Sequence, residues 1–225
     1  MEKVKKTKAK ESTNTRKVIQ DAFIKYVLTE GKLPTSVYKF CLDNGWQEGE
    51  FYQYFANLET IPAGIWEDWM NDTLQSLRSD ENFSSFSSRE KILTFYFAFA
   101  EKLKQNRSYA LYTLKHDFKV GTNPAFLLKT KKPFTNWLQE VMMDGLVKEE
   151  IAKRPFLDKR YPDLFWGHYL LFLQYWQKDM SPNLESTDVF IEKSVNLAFD
   201  LISKGAVDSA FDFAKFLFQQ RRFSN

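Results

Sequence analysis

The stretch from Leu33 to Ile61 constrains the fold more than any other part of this chain, because it predicts two short helices joined by a tight turn. Thr35 or Ser36 can cap the first helix, since a short side-chain oxygen there accepts from unpaired amides. Gly45 ends it, because glycine tolerates the left-handed backbone of a helix stop. Residues 47–54 form the second helix. This order is a helix-turn-helix, whose second helix can enter a DNA major groove.

The residues that follow resemble a known family. Residues 51–59, FYQYFANLE, are similar to the segment that closes the DNA-binding module of TetR-type transcriptional regulators. In that family an aromatic run ends the recognition helix, and a small polar residue, a lysine and an acid begin helix four. Residues 18–27 supply the apolar stripe of helix one, and Gly31 ends it. The resemblance covers residues 15–65 and implies an all-α, TetR-like fold.

The charge of this stretch departs from the family pattern. Between Leu33 and Ile61 the only base is Lys39, and the net charge is −3 because four acids oppose it: Asp43, Glu48, Glu50 and Glu59. Leu58 stands where the family usually has a phosphate-contacting lysine. DNA affinity comes largely from cations that neutralise phosphates. The order of the helices therefore favours DNA binding, whereas their charge argues against it.

The resemblance also implies which residues would contact DNA. They are the polar and aromatic residues at matching positions of the two short helices: Thr35, Ser36, Gln47, Glu48, Tyr52, Gln53 and Tyr54. Tyrosine and glutamine can hydrogen-bond phosphates or base edges without a charge. A glutamate can accept a hydrogen bond from cytosine N4.

Positive charge is concentrated at the N-terminus. The formal net charge is +3, yet residues 1–17 hold seven bases and two acids, so the remainder sums to −2. Residues 1–14 have no apolar run and are not a signal peptide or an anchor. Their composition is typical of a disordered, solvated tail. The alternative is an arm that lies on DNA, as in some helix-turn-helix proteins.

The rest of the chain has helical spacing throughout. At 225 residues, with 44% hydrophobic and 17% aromatic residues, it can bury a substantial core. We expect nine or ten helices and no strand. Three domains are predicted: a tail (1–14), a helix-turn-helix module (15–56), and a helical ligand-binding and dimerisation domain (57–225) that opens with a connecting helix (57–78).

Local signals place the later helices. Ser87 with Glu90 three residues on predicts a capping box. Pro133 is expected to interrupt or kink a helix that Asn123 caps, because proline lacks the amide and clashes with the preceding turn. The final helices are predicted over three ranges: Tyr161–Lys178, Thr187–Lys204 and Val207–Arg221.

A homodimer is implied by the resemblance, through a four-helix bundle that two late helices of each subunit form. Tyr161–Lys178 and Thr187–Lys204 are assigned to it by length and apolar content. The alternative is that these helices close the core of a monomer. The interface residues expected on this basis are Phe165, Tyr169, Phe172, Trp176, Ile191, Val195, Ala198 and Ile202.

A ligand site is implied among the middle helices, where the family binds its effectors. The residues available there are aromatic or apolar: Phe95, Tyr96, Phe99, Tyr112, Trp137 and Met142. Such a site would take an apolar or flat molecule with few charges. The same residue types at helical spacing also form ordinary packed core.

Catalytic chemistry has no support in the sequence. Cys41 is the only cysteine and is expected to be a small core residue, which fits a cytoplasmic protein. His116 and His168 have no metal-ligand spacing to other ligand residues, and no glycine-rich loop is present. We therefore expect no enzyme, metal, cofactor or membrane-spanning helix.

Three functional hypotheses follow. The first is a TetR-like transcriptional regulator that binds DNA as a dimer and responds to a small apolar effector. The second is a protein of the same fold that has lost DNA binding and binds lipid or another hydrophobic ligand. The third is an interaction protein whose exposed aromatic surface binds a protein partner.

Overall fold

A computed structural model describes residues 2–117, 124–154 and 158–202, and these ranges contain α-helices and no strand. The predicted all-α fold class is confirmed. The predicted helix Val207–Arg221 and the capping residue Asn123 lie outside the described residues. The described helices are α1 (Glu2–Glu30), α2 (Val37–Asn44), α3 (Glu48–Phe51), α4 (Ile61–Ser79), α5 (Ser88–Gln105), α6 (Arg107–Asp117), α7 (Leu128–Val147), α8 (Tyr161–Lys178) and α9 (Glu185–Ile202).

The chain divides into two compact units. Unit 1 comprises Met1–Trp69 with Leu103–Thr130, and unit 2 comprises Met70–Lys102 with Lys131–Asn225. The boundaries fall inside α4, α5 and α7, so three helices continue from one unit into the other. This division differs from the one expected at residue 57. The module and its partner domain remain predictions as functional units.

Phe40 is the centre of the helix-turn-helix part of unit 1. It is 1% exposed and makes edge contacts with four rings. The ring centroids of Phe23, Tyr26, Trp46 and Phe51 lie 6.4, 6.4, 5.7 and 6.3 Å from that of Phe40. Edge-to-face aromatic pairs stabilise a core beyond their buried area. This cluster therefore joins α1, α2, the turn and α3.

A second cluster in unit 1 joins the start of α4 to α6. Trp66 lies 5.2 Å from Trp69 and 5.0 Å from Phe126 between ring centroids. Its indole nitrogen donates to the Thr113 hydroxyl over 3.2 Å. Trp69 makes an edge contact with Tyr109 at 5.9 Å. The polar end of this buried indole thus has a partner, as a buried donor requires.

Unit 2 is built around α5, α7 and α8. Phe95 packs against Trp137 at 4.9 Å, Phe134 at 5.2 Å and Phe99 at 5.8 Å between centroids. Tyr169 of α8 contacts Phe99 at 5.4 Å and Phe134 at 5.3 Å. All five side chains are at most 2% exposed. They form a packed aromatic core.

Two local expectations differ from the structure. Helix α1 begins at Glu2, so residues 2–14 continue a helix where a disordered tail was expected. Lysine, alanine and glutamate are good helix formers, and no proline or glycine interrupts this segment. Helix α7 runs through Pro133 without a break. Phe134 and Trp137 in the turn that follows are buried, and their packing compensates for the hydrogen bond that the proline nitrogen cannot donate.

The predicted capping box at the start of α5 is confirmed. The Ser87 amide donates to a Glu90 carboxylate oxygen over 2.8 Å, and the Glu90 amide donates to the Ser87 hydroxyl over 3.3 Å. The loop before it contains a single short 3-10 turn, Phe83–Ser85. Across the three described ranges, no helix is both long and apolar enough to cross a membrane.

Candidate nucleic-acid interface and regulatory core

Helix α2 and the turn after it have well-formed ends. The Ser36 hydroxyl accepts from the Lys39 amide over 3.1 Å, which caps α2 as predicted. Gly45 has a φ of 72°, a left-handed conformation that other residues rarely adopt. The amide that follows, of Trp46, donates to the Cys41 carbonyl over 2.9 Å. These bonds fix where the chain turns towards α3.

The predicted recognition helix is shorter than expected. Only Glu48–Phe51 is α-helical, although hydrogen-bonded turns continue to Phe55. Gln47 precedes the helix, and its amide donates to Glu50 over 3.2 Å. One of the acids that makes the module negative therefore serves to cap the helix. The buried ring of Phe51 anchors it to the Phe40 cluster.

The residues proposed for DNA contact are accessible. Tyr52 is 53% exposed, while Glu48 and Tyr54 are half-buried. The other four are exposed: Thr35, Ser36, Gln47 and Gln53. Their geometry is compatible with a contact surface, and their role stays a prediction.

The electrostatics of this surface are unfavourable for a polyanion. Lys39 forms an ion pair with Asp43 one turn later, so its charge is already compensated. Leu58, at the position of the family lysine, is 5% exposed and packs inside. Burial raises the pKa of the Cys41 thiol, and the negative charges of Glu48 and Glu50 raise it further. The thiol is therefore a neutral core group, as expected.

The start of α4 is tied to α1 inside unit 1. A guanidinium nitrogen of Arg16 lies 3.3 Å from Glu67 and 3.1 Å from Asp68. The Gln20 amide donates to Asp68 over 2.6 Å. A Cβ added to Gly64 would lie 3.2 Å from Arg16, so the two helices approach closely here. These contacts fix the direction of α1 at residues 16–20.

The residues expected at a dimer interface point inward. Phe165, Tyr169, Phe172, Trp176, Ile191, Val195 and Ile202 are buried within unit 2, and Ala198 is half-buried. Sequence alone gave α8 almost no polar face, so it could not separate its inner side from its outer side. Six of the outward side chains of the two helices are apolar: Leu164, Leu171 and Tyr175 on α8, and Val189, Leu197 and Leu201 on α9.

The outward residues repeat at helical spacing and are 38–60% exposed. Helices α8 and α9 pack on each other through Tyr175 and Phe190, whose rings stack at 4.4 Å, and through Phe165 and Phe199 at 6.2 Å. An exposed apolar stripe on adjacent helices is typical of a protein interface. The sequence of α8 could not reveal this stripe, because identifying the outer face requires knowing which face packs against the core.

The expected ligand residues lie in the core. Phe95, Tyr96, Phe99, Trp137 and Met142 are at most 2% exposed and belong to unit 2, whereas Tyr112 is half-buried and belongs to unit 1. The rings of the first group pack directly on one another. Their role in ligand binding stays a prediction.

Sequence reasoning missed a polar chain in the core of unit 2. His168 Nδ1 lies 2.6 Å from the Tyr96 hydroxyl, and His168 Nε2 lies 2.9 Å from the Ser194 hydroxyl. These residues come from α8, α5 and α9, so no sequence spacing could have linked them. Burial lowers the pKa of His168 to about 4 and raises that of Tyr96 well above its usual value. The imidazole is neutral near pH 7.

Two buried tyrosine hydroxyls in unit 2 are not satisfied. Within the described part of the chain, neither Tyr161 nor Tyr169 finds a hydrogen-bond partner for its hydroxyl. Tyr169 is 0% exposed, and burial together with nearby Tyr96 raises its pKa well above the usual value. A buried hydroxyl without a partner costs stability and calls for an explanation. A ligand that accepts a hydrogen bond is one explanation.

Unit 2 also has an open cleft between α4 and α7, of about 490 Å³. Asn71, Gln75 and Asn136 line it with amides, and the ion pair of Arg78 and Glu140, at 2.9 Å, borders it. None of the expected ligand residues lines this cleft. The sequence predicts an apolar ligand, whereas the wall of this cleft is mostly polar.

The described elements are a capped helix-turn-helix and a set of longer helices, which is an arrangement of helical DNA-binding proteins. Residues 91–217 match the family model described as "Tetracyclin repressor-like, C-terminal domain". This match spans more than half of the chain, so the protein belongs to the TetR family. The resemblance inferred at residues 51–59 is thereby confirmed at the level of the family.

Three solved structures of similar fold are described as regulators, two of them of the TetR family. The fatty acid degradation regulator FadR from Bacillus halodurans has a TM-score of 0.59 and 19% identity, covering 80% of this chain and 96% of that chain. A putative TetR family transcription regulator from Shewanella sp. PV-4 has a TM-score of 0.53 and 14% identity, covering 82% and 95%. A regulatory protein of the TetR family from Rhodococcus RHA1 has a TM-score of 0.50 and 15% identity, covering 85% and 98%.

At these identities the structural likeness establishes the fold, and no curated protein matches the sequence. The function hypothesis is thus established in its coarser form, a fold of TetR-family transcription regulators. Relatives of this kind are generally not enzymes. Within the described ranges, no group of three or more potential metal ligands lies close together.

Proposed function

We propose that this protein is a transcription regulator that binds DNA as a homodimer and responds to a small apolar effector. The observation that carries the proposal is the helix-turn-helix itself. Ser36 caps α2, Gly45 turns the chain, and the adjoining polar residues Gln47 and Gln53 are exposed. Uncharged side chains of this kind can read base edges and hydrogen-bond phosphates.

The dimer would form through the outward stripe of α8 and α9. Burying large aliphatic side chains such as Leu171 and Leu197 is favourable by about 1.5–3 kcal/mol each when burial is complete. A two-fold axis would pair this stripe with its own copy, because such interfaces use the same patch on both subunits. The inner residues named from sequence would then support the interface from behind.

The effector would enter the aromatic core of unit 2. Its expected chemistry is apolar with one hydrogen-bond acceptor, because the Tyr169 hydroxyl lies buried among Phe95, Phe99 and Phe134 without a partner in the described chain. The neighbour from Bacillus halodurans is a fatty acid degradation regulator. A long-chain fatty acid is therefore a reasonable first probe. The core must open to admit it, as ligand binding can shift a protein towards a minor state.

Selection from a pool of random duplex DNA tests the regulator proposal. The full chain should enrich a two-fold symmetric sequence, since dimers of helix-turn-helix proteins bind paired half-sites about one helical turn apart. Gln53→Ala with Tyr52→Ala should abolish the enrichment. Leu42→Ala is the matched control, because Leu42 lies on α2, is 61% exposed and is outside the proposed contact set. A pool without any enriched symmetric sequence would contradict the proposal.

The dimer is tested by sedimentation of the full chain. Leu171→Glu with Leu197→Glu should convert the dimer to monomer, because each buried carboxylate must lose its hydration. Met143→Glu, at a residue of α7 that is 59% exposed, provides the control. A wild-type protein that sediments as a monomer at micromolar concentration would exclude this part of the proposal.

A second function is favoured by one specific observation, the acidic recognition surface. Glu48 and Glu50 face outward or half-outward, Lys39 is paired, and Leu58 is buried. A TetR-family protein of this kind could have lost DNA binding and act as a binder of lipid or another hydrophobic molecule. Extraction of the purified protein followed by mass spectrometry distinguishes this case. Bound lipid together with no DNA binding at about 20 mM salt supports it, since low salt favours any phosphate contact.

A further inference from the structure

The cations that a DNA-binding regulator needs are missing from its recognition surface. Four acids and one base lie between Leu33 and Ile61, and the one base, Lys39, is held by Asp43. The nearby Arg16 is held by two carboxylates of α4. Phosphate contacts supply most of the affinity for DNA and nearly all of the non-specific affinity. Another part of the chain must therefore carry the charge if DNA binds.

Residues 2–14, which we call the lysine segment, are rich in cationic residues. They hold five lysines and two glutamates. Their backbone forms the N-terminal part of α1. At 1.5 Å per residue, thirteen helical residues reach about 20 Å beyond Thr15. That length is comparable to the width of a DNA duplex.

The middle of α1, where the lysine segment ends, lies beside the recognition helix. Thr15 and Val18 of α1 line a small cleft of about 200 Å³ together with Trp46, Glu50 and Phe51. The lysine segment therefore leaves the folded body next to α3. Because Arg16 and Gln20 are bonded to α4, the direction of this departure is set by the packed helices.

We propose that the lysine segment is the phosphate-binding element of this protein, and that α2 and α3 supply base and hydrogen-bond contacts without cations. The inference rests on the proposed DNA binding and assigns its electrostatic part to one segment. The acidic residues of α3 would then weaken binding at any site where the lysine segment does not also contact the DNA phosphate backbone. Specificity gains from such unfavourable contacts at wrong sites.

The test measures binding of the full chain to a labelled random-sequence duplex of 30 base pairs by fluorescence anisotropy, from about 20 to about 200 mM salt. Five substitutions, Lys→Gln at residues 3, 5, 6, 8 and 10, remove the charge and keep good helix formers. Each lost phosphate contact should reduce the slope of log affinity against log salt by about 0.9, or up to about 4.5 in total. Affinity at about 50 mM salt should fall at least about 30-fold.

A matched variant controls for net charge. Lys→Gln at five exposed lysines of unit 2, residues 132, 153, 159, 178 and 193, changes the total charge equally and should leave the slope unchanged. Lys→Arg at the five segment positions should retain both slope and affinity. Circular dichroism of each variant checks that the fold is kept.

The outcomes separate the two proposals. Wild-type binding with an unchanged slope after the segment substitutions overturns the inference and leaves the proposed regulator standing. An equal loss in the unit 2 variant also overturns it, because net charge alone would then explain the effect. No binding by the wild-type chain at about 20 mM salt overturns the regulator, and this inference with it.

Discussion

The two aromatic cores of this protein differ in what they contain besides rings. Around Phe40 in unit 1, the partners are rings of α1, α2, α3 and the turn, in edge contacts. Around Tyr169 in unit 2, similar ring packing surrounds polar groups as well. One is the neutral imidazole of His168, which is hydrogen-bonded to the Tyr96 hydroxyl, and another is the Tyr169 hydroxyl, which has no partner in the described chain. The core around Phe40 is formed by aromatic rings, and the core around Tyr169 also contains polar groups.

The difference follows from what each core must do. The helices α2 and α3 have eight and four residues, too short to be stable alone, so one shared ring cluster must hold them. Unit 2 has helices of eighteen to twenty residues, which can tolerate buried polar groups because many other contacts hold them. Burying a polar group in a packed core is costly unless it is hydrogen-bonded.

Phe40→Ala should break the first core and give the largest loss of stability. The substitution removes contacts to four rings and leaves a cavity, for an expected loss of about 3–5 kcal/mol in the free energy of unfolding. Urea denaturation followed by tryptophan fluorescence measures it. Leu42→Ala, two residues further along α2 and 61% exposed, should change stability by less than about 0.5 kcal/mol. Equal losses in the two variants would show that Phe40 is not the centre of the module.

The buried histidine should make the second core sensitive to acid. Burial lowers the pKa of His168 to about 4, below the ordinary value of 6.5, so the unfolded chain binds its proton first. Stability is therefore complete above pH 6.5 and is lost as the pH falls towards 4, by about 3 kcal/mol. Carboxylates titrate in this range as well, so the comparison is with His168→Gln, whose amide does not titrate. Identical pH profiles of the two proteins from pH 7 to 4 would contradict the prediction.

The fold could be predicted largely from local signals. The cap at Ser36, the turn at Gly45 and the box of Ser87 with Glu90 each depend on residues within four positions, and the structure has all three. The predicted interruption at Pro133 was wrong, because the packing of the next residue, Phe134, in the core overrides a local rule. Residues 2–14 also differ from the expectation, since the backbone of α1 continues through them.

The candidate sites could be predicted less well, because they depend on which face of a helix turns inward. In α8 apolar residues occur on both faces, so the sequence does not show that Phe172 is buried and Leu171 is exposed. The chain of Tyr96, His168 and Ser194 joins three helices separated by 72 and 26 residues. Such long-range juxtaposition leaves no periodic signal in a single sequence.

Caps provide a smaller contrast between the two regions. Ser36 caps α2 at the surface with one bond of 3.1 Å, whereas Asp179 is 6% exposed and accepts four bonds of 2.6–2.8 Å from Ser181 and Thr187. Burial raises the pKa of Asp179, but these bonds outweigh it and lower the pKa overall. Asp179→Ala should cost about 2 kcal/mol, and Ser36→Ala about 1 kcal/mol.

Urea denaturation of both capping variants at pH 7 measures this contrast. The decisive result is which variant loses more stability. Removing the buried carboxylate leaves four hydrogen bonds unmade, whereas removing the exposed hydroxyl leaves one donor that water can reach. A larger loss for the Ser36 variant would mean that the turn between α8 and α9 is held by other contacts.

Tyr169→Phe should have the smallest effect and the most informative one. Removing a buried hydroxyl that has no partner in the described chain should leave stability unchanged or raise it by up to about 1 kcal/mol. Tyr96→Phe removes the same atom from a hydroxyl that lies 2.6 Å from His168, and it should cost about 1–2 kcal/mol. Thermal unfolding of both variants, alone and with a long-chain fatty acid, separates two roles. If the Tyr169 hydroxyl binds the effector, Tyr169→Phe loses the ligand-induced rise in melting temperature while keeping its stability. A loss of stability as large as that of Tyr96→Phe would mean that the Tyr169 hydroxyl is structural, and that the polar content of this core serves packing.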